Sequence, residues 1–438
     1  MEKQYKQNTT SWIQRDEKVL WHGFSQMATF SSWEPVVVDS GKGHFLKDVD
    51  GKQYFDAISS LWVSTFGHQI PELDQAIIDQ LKKIAHSTML GNSNTTTIAL
   101  SEALAKKVPV KSPHFLYASD GAAAVEQGLK IAFQYWINKG IDKKVDFVCL
   151  DEAYHGDTIG SLSLGAGGFG TEIFNPLRFG VLRASSYSKD PYLESVISLV
   201  KQKSSQLVAV VVEPMIQAAS GMLMSDPKGL FDLYQVCKKE NVLLVVDEVA
   251  TGFGRTGTLF ACEQAGIEPD ILCLGKGITG GYLAMSATVV SQEVFDSFLD
   301  TNEPSMRTLT HGHSYGGNAL AAAVALRHLD LIDQSNVLEN VKQQSSYLLN
   351  KLQILAKKHP CISDIRFLGL MGGIEVNHNN SSYIFAKQIC ATSTNLGVLL
   401  RPLGNVIPLV LPLDISEQEI DLVIATIDKS IEQVLKKI

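Results

Sequence analysis

The sequence has no paired-cysteine spacing, no long apolar run and no block of like charge, and each absence removes a class of protein. Its six cysteines, Cys149, Cys237, Cys262, Cys273, Cys361 and Cys390, include no CxxC pair and fall mostly in apolar stretches. That argues against a zinc site or a disulfide framework and for a reducing cytoplasm. Apolar runs such as LVAVVV and VLLVV are too short to span a bilayer, and the polar start MEKQYKQNTTSW lacks a signal-peptide apolar region. The expectation is a soluble cytoplasmic protein that meets no membrane. Lysine and arginine number 38 against 46 acidic residues, a net charge of −8, and are dispersed along the chain. Nucleic acid, which needs clustered cations, is excluded as a partner. There is no internal repeat and no low-complexity tract.

What is present is an ordinary globular composition: 45% hydrophobic residues, 19% charged, 34 glycines and 14 prolines. A length of 438 residues exceeds what one core usually serves and predicts two domains. From Val36 to Asp56, short β segments (VVV, HFLKDV, QYFDAI) separated by SGKG and DGK predict a small antiparallel meander. Between about residues 65 and 320, apolar β-type runs alternate with helical patterns. That pattern predicts an α/β fold with a mostly parallel sheet covered by helices on both faces. The candidate strands are HFLYA, DFVCL, LVAVVV, VLLVV and ILCL. HFLYA is followed by a helix with an apolar stripe at Val125, Leu129, Ala132, Phe133 and Trp136. The last helix opens with Ser416 and Glu419 in capping-box spacing and runs through Ile420, Val423, Ile424, Ile427, Ile431, Val434 and Leu435. The expected division is 63–325 for the large domain, with 1–62 and 326–438 building a smaller α+β domain.

In open parallel sheets ligands bind beyond the carboxyl ends of the strands, and here those ends are reactive. HFLYA leads to Ser119, Asp120 and Gly121; DFVCL to Tyr154 and His155; LVAVVV to Glu213; VLLVV to Asp247 and Glu248; ILCL to Gly275 and Lys276. One acid at a strand end is commonly a helix cap or a surface charge. Five such ends together predict a pocket. A lysine condenses with an aldehyde only as the free amine, which an apolar setting favours; the glycines of LGKGITGG allow close approach. A pyridinium nitrogen needs a carboxylate, and Asp247 suits it. A phosphate needs amides at a helix start, which Gly121 and Ala122 supply, with Asp120 expected to turn away as an N-cap. Tyr154 could stack on a planar ring, or be an ordinary buried tyrosine.

Other readings weaken on inspection. GAGGFG at residues 165–170 matches GxGxxG but follows no clean apolar strand, and Pro176 soon interrupts any helix. The glycines near Lys276 lack phosphate-loop spacing. His311 and His313 alternate as metal ligands can, yet no Cys or acid cluster accompanies them, so no metal is expected.

With these residues in hand, the chain resembles the class III pyridoxal-phosphate-dependent aminotransferases over nearly its whole length. The motifs that carry the resemblance are VVDEVATGFGRTG and the ILCLGKG lysine segment. AFQYW followed by YHGDTIG, with LFACE and HGHSYGGN, resemble the branch acting in biotin synthesis. That branch takes an amino-ketone acid as acceptor and S-adenosylmethionine or lysine as amino donor.

The resemblance implies fold type I, a homodimer with each active site at the subunit interface, and pyridoxal 5'-phosphate as cofactor. On this reading Lys276, Asp247 and Tyr154 are catalytic: Lys276 holds the cofactor as a Schiff base and shuttles the proton, Asp247 pairs with the pyridine nitrogen, and Tyr154 lies against the ring. Gly121, Ala122, Glu213 and Val249 line the cofactor, with His313 and Ser314 reaching the phosphate from the other subunit. Phe24, Leu61, Trp62, Tyr154, Gly312 and Arg401 face substrate, Arg401 matching the family's carboxylate arginine. The departures fall near substrate: Phe24 and Leu61 replace a family Tyr and Trp, Ala122 a Ser, and Pro408 a Tyr.

Overall fold

The computed structural model describes residues 8–166, 170–302, 304–378 and 381–437. The part of GAGGFG at 167–169 lies outside them. Seven strands form the large sheet: β1 (His114–Ala118), β2 (Asp146–Leu150), β3 (Leu182–Ala184), β4 (Leu207–Val212), β5 (Leu243–Asp247), β6 (Ile271–Leu274) and β7 (Ser286–Val290). Their spatial order is β1-β7-β6-β5-β4-β2-β3. The five apolar runs expected as strands are β1, β2, β4, β5 and β6, with the expected bounds except that β5 begins one residue later and ends at Asp247. Two strands were not foreseen. β3 is three residues long, and β7 (SATVV) pairs antiparallel with both β6 and β1, so the sheet is mixed at that edge. Every residue of β4 is buried, as expected for a strand covered on both faces; each such Val or Leu is worth about 1.5–3 kcal/mol on burial.

The helix Gly121–Asn138 packs on this sheet through Val125, Leu129, Ala132 and Trp136. Phe133, placed by the stripe on the same face, is 40% exposed; it sits at the margin of the apolar stripe, where the helix surface turns away from the sheet. The final helix, Glu417–Leu435, has the full capping box: Ser416 accepts from the Glu419 amide and Glu419 accepts from the Ser416 amide. Its buried face is the expected one as far as Val434, whereas Leu435, in the last turn, is exposed.

The meander forms from Val38–Lys42, Phe45–Asp48 and Gln53–Asp56; only the last residue of VVV takes part. Val398–Leu399 adds to it as a fourth, parallel strand, so both ends of the chain share one sheet. A separate three-stranded antiparallel sheet comprises Ile362–Leu368, Met371–Val376 and Val406–Val410. Pro408 is buried in its last strand, opposite Gly373, on an edge that tolerates a residue without an amide proton. We propose the division at residues 62 and 325 as the domain boundaries; the helix Ala319–Gln334 crosses the second.

Between the meander and the first large-domain helix the backbone is strained. Ser59, Ser60, Leu61 and Trp62 follow one another with φ of 45°, 48°, 67° and 71°. Left-handed geometry costs a non-glycine residue about 1–2 kcal/mol, so four in a row persist only where the surroundings hold them.

Candidate active site

The carboxyl ends of β1, β2, β4, β5 and β6 open on one cavity of about 460 Å³, lined among others by Trp62, Gly121, Ala122, Tyr154, His155, Glu213, Asp247, Val249 and Lys276. The sheet accounts for this convergence. Parallel β2, β4, β5 and β6 all end on the same side, and β1 joins them because the antiparallel β7 lies between it and β6.

Two glycines let the backbones meet. A Cβ on Gly121 would stand 2.5 Å from Val249 Cγ1, and one on Gly275 would stand 3.1 Å from the same methyl and 3.5 Å from Gly121 Cα. At the helix start, Asp120 Oδ1 accepts from the Ala123 amide at 2.9 Å, the cap expected of it, but Asp120 lines the cavity and does not turn away from it. The amides of Gly121 and Ala122 have no partner within a helix, and both residues line the cavity. They sit at the positive end of an 18-residue helix.

Lys276 is half-buried, in left-handed geometry with φ 38°, and its Nζ lies 4.9 Å from the centroid of the Trp62 ring. Burial lowers its amine below the ordinary lysine range, against the opposing pull of Asp247 and Glu213; that shift favours a nucleophilic amine. Asp247 is fixed from two sides. Its Oδ2 pairs with His155 Nδ1 at 2.7 Å and its Oδ1 accepts from the Val249 amide at 3.0 Å. Burial works against a charged His155, but the hydrogen bonds and charge of Asp247 and Cys149 together outweigh it and raise the imidazole to about 10. The pair is thus an imidazolium behind a carboxylate.

Glu213 accepts from the Tyr154 amide at 3.2 Å and the Ala218 amide at 3.1 Å. Burial pushes its carboxyl up to about 7, with His155 opposing and Asp247 reinforcing the rise. Burial and Asp157 raise the Tyr154 phenol, whose hydroxyl donates to Asp157 Oδ2 at 2.9 Å. Glu248, at the same strand end as Asp247, turns away. It accepts from the Cys262 amide and the Thr251 hydroxyl and does not line the cavity.

Not all expected site residues meet here. Phe24 and Arg401 line a second cavity of about 630 Å³ together with Phe30, Trp33, Ile58 and Lys387. Phe24 is 61% exposed, and Arg401 is exposed as well. Leu61 is 48% exposed and borders neither cavity. Gly312, His313 and Ser314 also lie outside both. His313 Nε2 pairs with Ser119 Oγ at 3.0 Å, the Ser314 carbonyl accepts from His86, and a Cβ on Gly312 would touch Leu90.

His155 was legible only as a residue after a strand; its bond to Asp247 depends on the loop that follows β2. Asp157 and Thr158, which also line the cavity, carried no signal beyond their place in YHGDTIG. Among the described residues no group of three or more His, Cys, Asp or Glu is arranged to hold a metal ion.

The family described as Aminotransferase class-III matches residues 28–431. This chain is a class III aminotransferase. The aminotransferase is 40% identical to the adenosylmethionine-8-amino-7-oxononanoate aminotransferase of Aquifex aeolicus over 448 residues, covering 97% of each chain. It is 36% identical to the enzyme of that name from Staphylococcus aureus, over 97% of this chain and 98% of that one. Among solved structures, the adenosylmethionine-8-amino-7-oxononanoate aminotransferase of Methanocaldococcus jannaschii superposes with a TM-score of 0.93 at 34% identity, covering 97% of this chain and 99% of that one. An amine transaminase from an uncultivated Pseudomonas species, solved in its PLP-bound form, does so with a TM-score of 0.87 at 28% identity, covering 95% of this chain and 98% of that one. The aminotransferase is therefore a pyridoxal-phosphate-dependent enzyme of fold type I, and its small-molecule substrates are those of amino transfer.

The residues present fit that cofactor. Lys276 is an amine of lowered basicity, Asp247 is held by His155, and a Cβ at Gly121 would collide with Val249 and displace the helix start. No helix among the described residues is long and apolar enough to cross a membrane.

Proposed function

We propose that this aminotransferase converts 8-amino-7-oxononanoate to 7,8-diaminopelargonate in biotin synthesis, with S-adenosylmethionine or lysine as amino donor. The observation that carries the chemistry is the single cavity shared by Lys276, the Asp247–His155 pair and the helix start at Gly121. Its specificity is supported by full-length relatives at 34–40% identity that bear this enzyme's name.

Pyridoxal phosphate supplies an electron sink when bound. Lys276 would hold it and, once released by the donor, carry the proton between the substrate and cofactor carbons. Asp247 would pair with the pyridine nitrogen, and His155 would hold the Asp247 side chain in place through their hydrogen bond. Tyr154 would lie against the ring, with Glu213 beside it and Val249 beneath the glycines. Gly121 and Ala122 would hold the phosphate through their amides. His313 and Ser314, which lie outside both cavities described above, would reach that phosphate from the second subunit of a homodimer, with Gly312 beside the substrate there.

Trp62 would exclude water from the amine. Arg401 would take the acceptor's carboxylate through its planar fork, in the cavity where Phe24 stands; Leu61 would edge the path between. The six free cysteines, five of them buried, suit a cytoplasmic enzyme.

The test is to mix the yellow purified protein with S-adenosylmethionine or with lysine and follow its visible absorbance. One of the two bleaches the band, and the amino-ketone acid restores it. If neither does so while a simple ω-amine does, the enzyme is instead another class III ω-amino-acid aminotransferase.

A further inference from the structure

The left-handed turn Ser59–Trp62 lies between the two cavities: Trp62 lines the one that holds Lys276, and Ile58 lines the one that holds Arg401. It is closed on itself by the Trp62 amide donating to the Ile58 carbonyl at 2.8 Å and the Val63 amide donating to the Ser59 carbonyl at 2.9 Å. No glycine relieves it, so its geometry depends on anchors outside the turn.

Ser59 Oγ donates to the Val410 carbonyl at 2.7 Å and accepts from Arg255 at 3.2 Å, which fixes the entry. The middle is anchored on Asp56: Ser60 Oγ donates to Asp56 Oδ2 at 2.6 Å. Asp56 is itself buried, is held by His68 Nε2 at 3.2 Å, and has its second oxygen without a partner. A buried carboxylate that leaves half its capacity unused is costly as a structural device alone. Its one side-chain service to the turn is to hold Ser60, two residues before the indole that faces Lys276.

We propose that Asp56 is a positioning residue for amino transfer: through Ser60 it holds the left-handed turn so that Trp62 stays over the Lys276 amine and the wall between the two cavities stays in place. The face of an indole favours a cationic nitrogen and excludes water, so the position of Trp62 bears on both the protonation of the Lys276 nitrogen and the fit of whatever amine enters. The charged groups facing Lys276 otherwise are Asp247 and Glu213, and neither touches Asp56. The proposal rests on membership of the aminotransferase family and not on the particular ketone, so it is tested with any amine the holoenzyme turns over.

The variants are Asp56→Ala, Asp56→Asn and Ser60→Ala, each as cofactor-loaded full-length protein. Asp56→Ala and Ser60→Ala are expected to move the pH midpoint of the cofactor's visible absorbance by about half a unit or more. They are expected to raise the donor KM about tenfold, with kcat changed less than about threefold, the pattern of lost binding fit. Asp56→Asn keeps an oxygen that accepts from Ser60 and is expected to stay within about twofold of the parent. Variants that lower only the melting temperature, with KM and the absorbance midpoint unchanged, would make Asp56 merely structural and overturn the proposal. So would an Asp56→Asn as impaired as Asp56→Ala. If Asp56→Ala does not fold, Ser60→Ala decides by the same two readouts.

Discussion

The two cavities are built differently. The one around Lys276 is made from the ends of buried strands, and its polar groups are fixed to one another: Asp247 by His155 and by the Val249 amide, Glu213 by two amides. The one around Arg401 is made from segments of both chain ends, among them Phe24, Trp33, Lys387 and Arg401, and its aromatic and cationic residues are partly open to solvent. Groups fixed to one another sit beside groups open to solvent. The sheet commits the first cavity to one cofactor, whereas loops can alter the second without disturbing it.

The sharpest way to break this contrast is at Lys276. Lys276→Ala is expected to abolish the visible absorbance and to lower turnover by at least about a thousandfold, as loss of a covalent-catalysis group does; single-turnover spectroscopy checks it. Asp247→Ala should cost less turnover but more stability. It removes the carboxylate that keeps the buried His155 protonated and so breaks a buried ion pair, a loss of about 3–5 kcal/mol, read by chemical denaturation of the apoprotein. An unchanged midpoint would mean the pair is not as tightly coupled as its 2.7 Å separation implies.

In the second cavity Arg401→Ala should raise the acceptor KM by about 10- to 100-fold, the worth of a charge-assisted bidentate contact. The cofactor spectrum should stay as it is. A changed spectrum would show that the two cavities are not independent.

The smallest expected effect is on pH dependence. A group whose folded pKa lies above its unfolded one holds an extra proton in the native state between the two values, so stability falls as pH rises through that window. Glu213, at about 7 against 4.5, acts between those values; His155, at about 10 against 6.5, acts between 6.5 and 10. The melting temperature of the apoprotein should therefore fall from pH 7 to pH 10, and in His155→Asn it should fall less steeply. An equal slope in that variant would remove His155 from the balance.

The first cavity was largely legible in the sequence because each of its polar residues follows an apolar run, and strand ends are easy to locate. Lys276, Asp247, Glu213, Tyr154 and Gly121 were found in that way. β7 was not, because SATVV has small polar residues where a buried strand would be read as continuous aliphatics, and its burial comes from neighbours on both sides. Nor was the left-handed turn, since SSLW carries no glycine to announce positive φ; the geometry is imposed by Val410 and Arg255, which lie far away in sequence, and by Asp56, four residues before Ser60. Glu248 shows the converse. It looked equivalent to Asp247, and only the side on which its carboxylate leaves the strand separates a cavity-lining carboxylate from a loop anchor. Arg401 was recognisable from the family alone, because its cavity is assembled from segments that are remote along the chain.

One contact bears on how this enzyme can be recombined with its relatives. Val249 touches the places where both Gly121 and Gly275 would carry a side chain, so three separate segments share a single volume. A hybrid that inherits a larger residue at 121 or 275 while keeping Val249 would push the helix start or the lysine segment out of place. Parental crossovers should therefore leave these three positions together, as one inherited unit, even though more than 120 residues separate the first from the second in the chain.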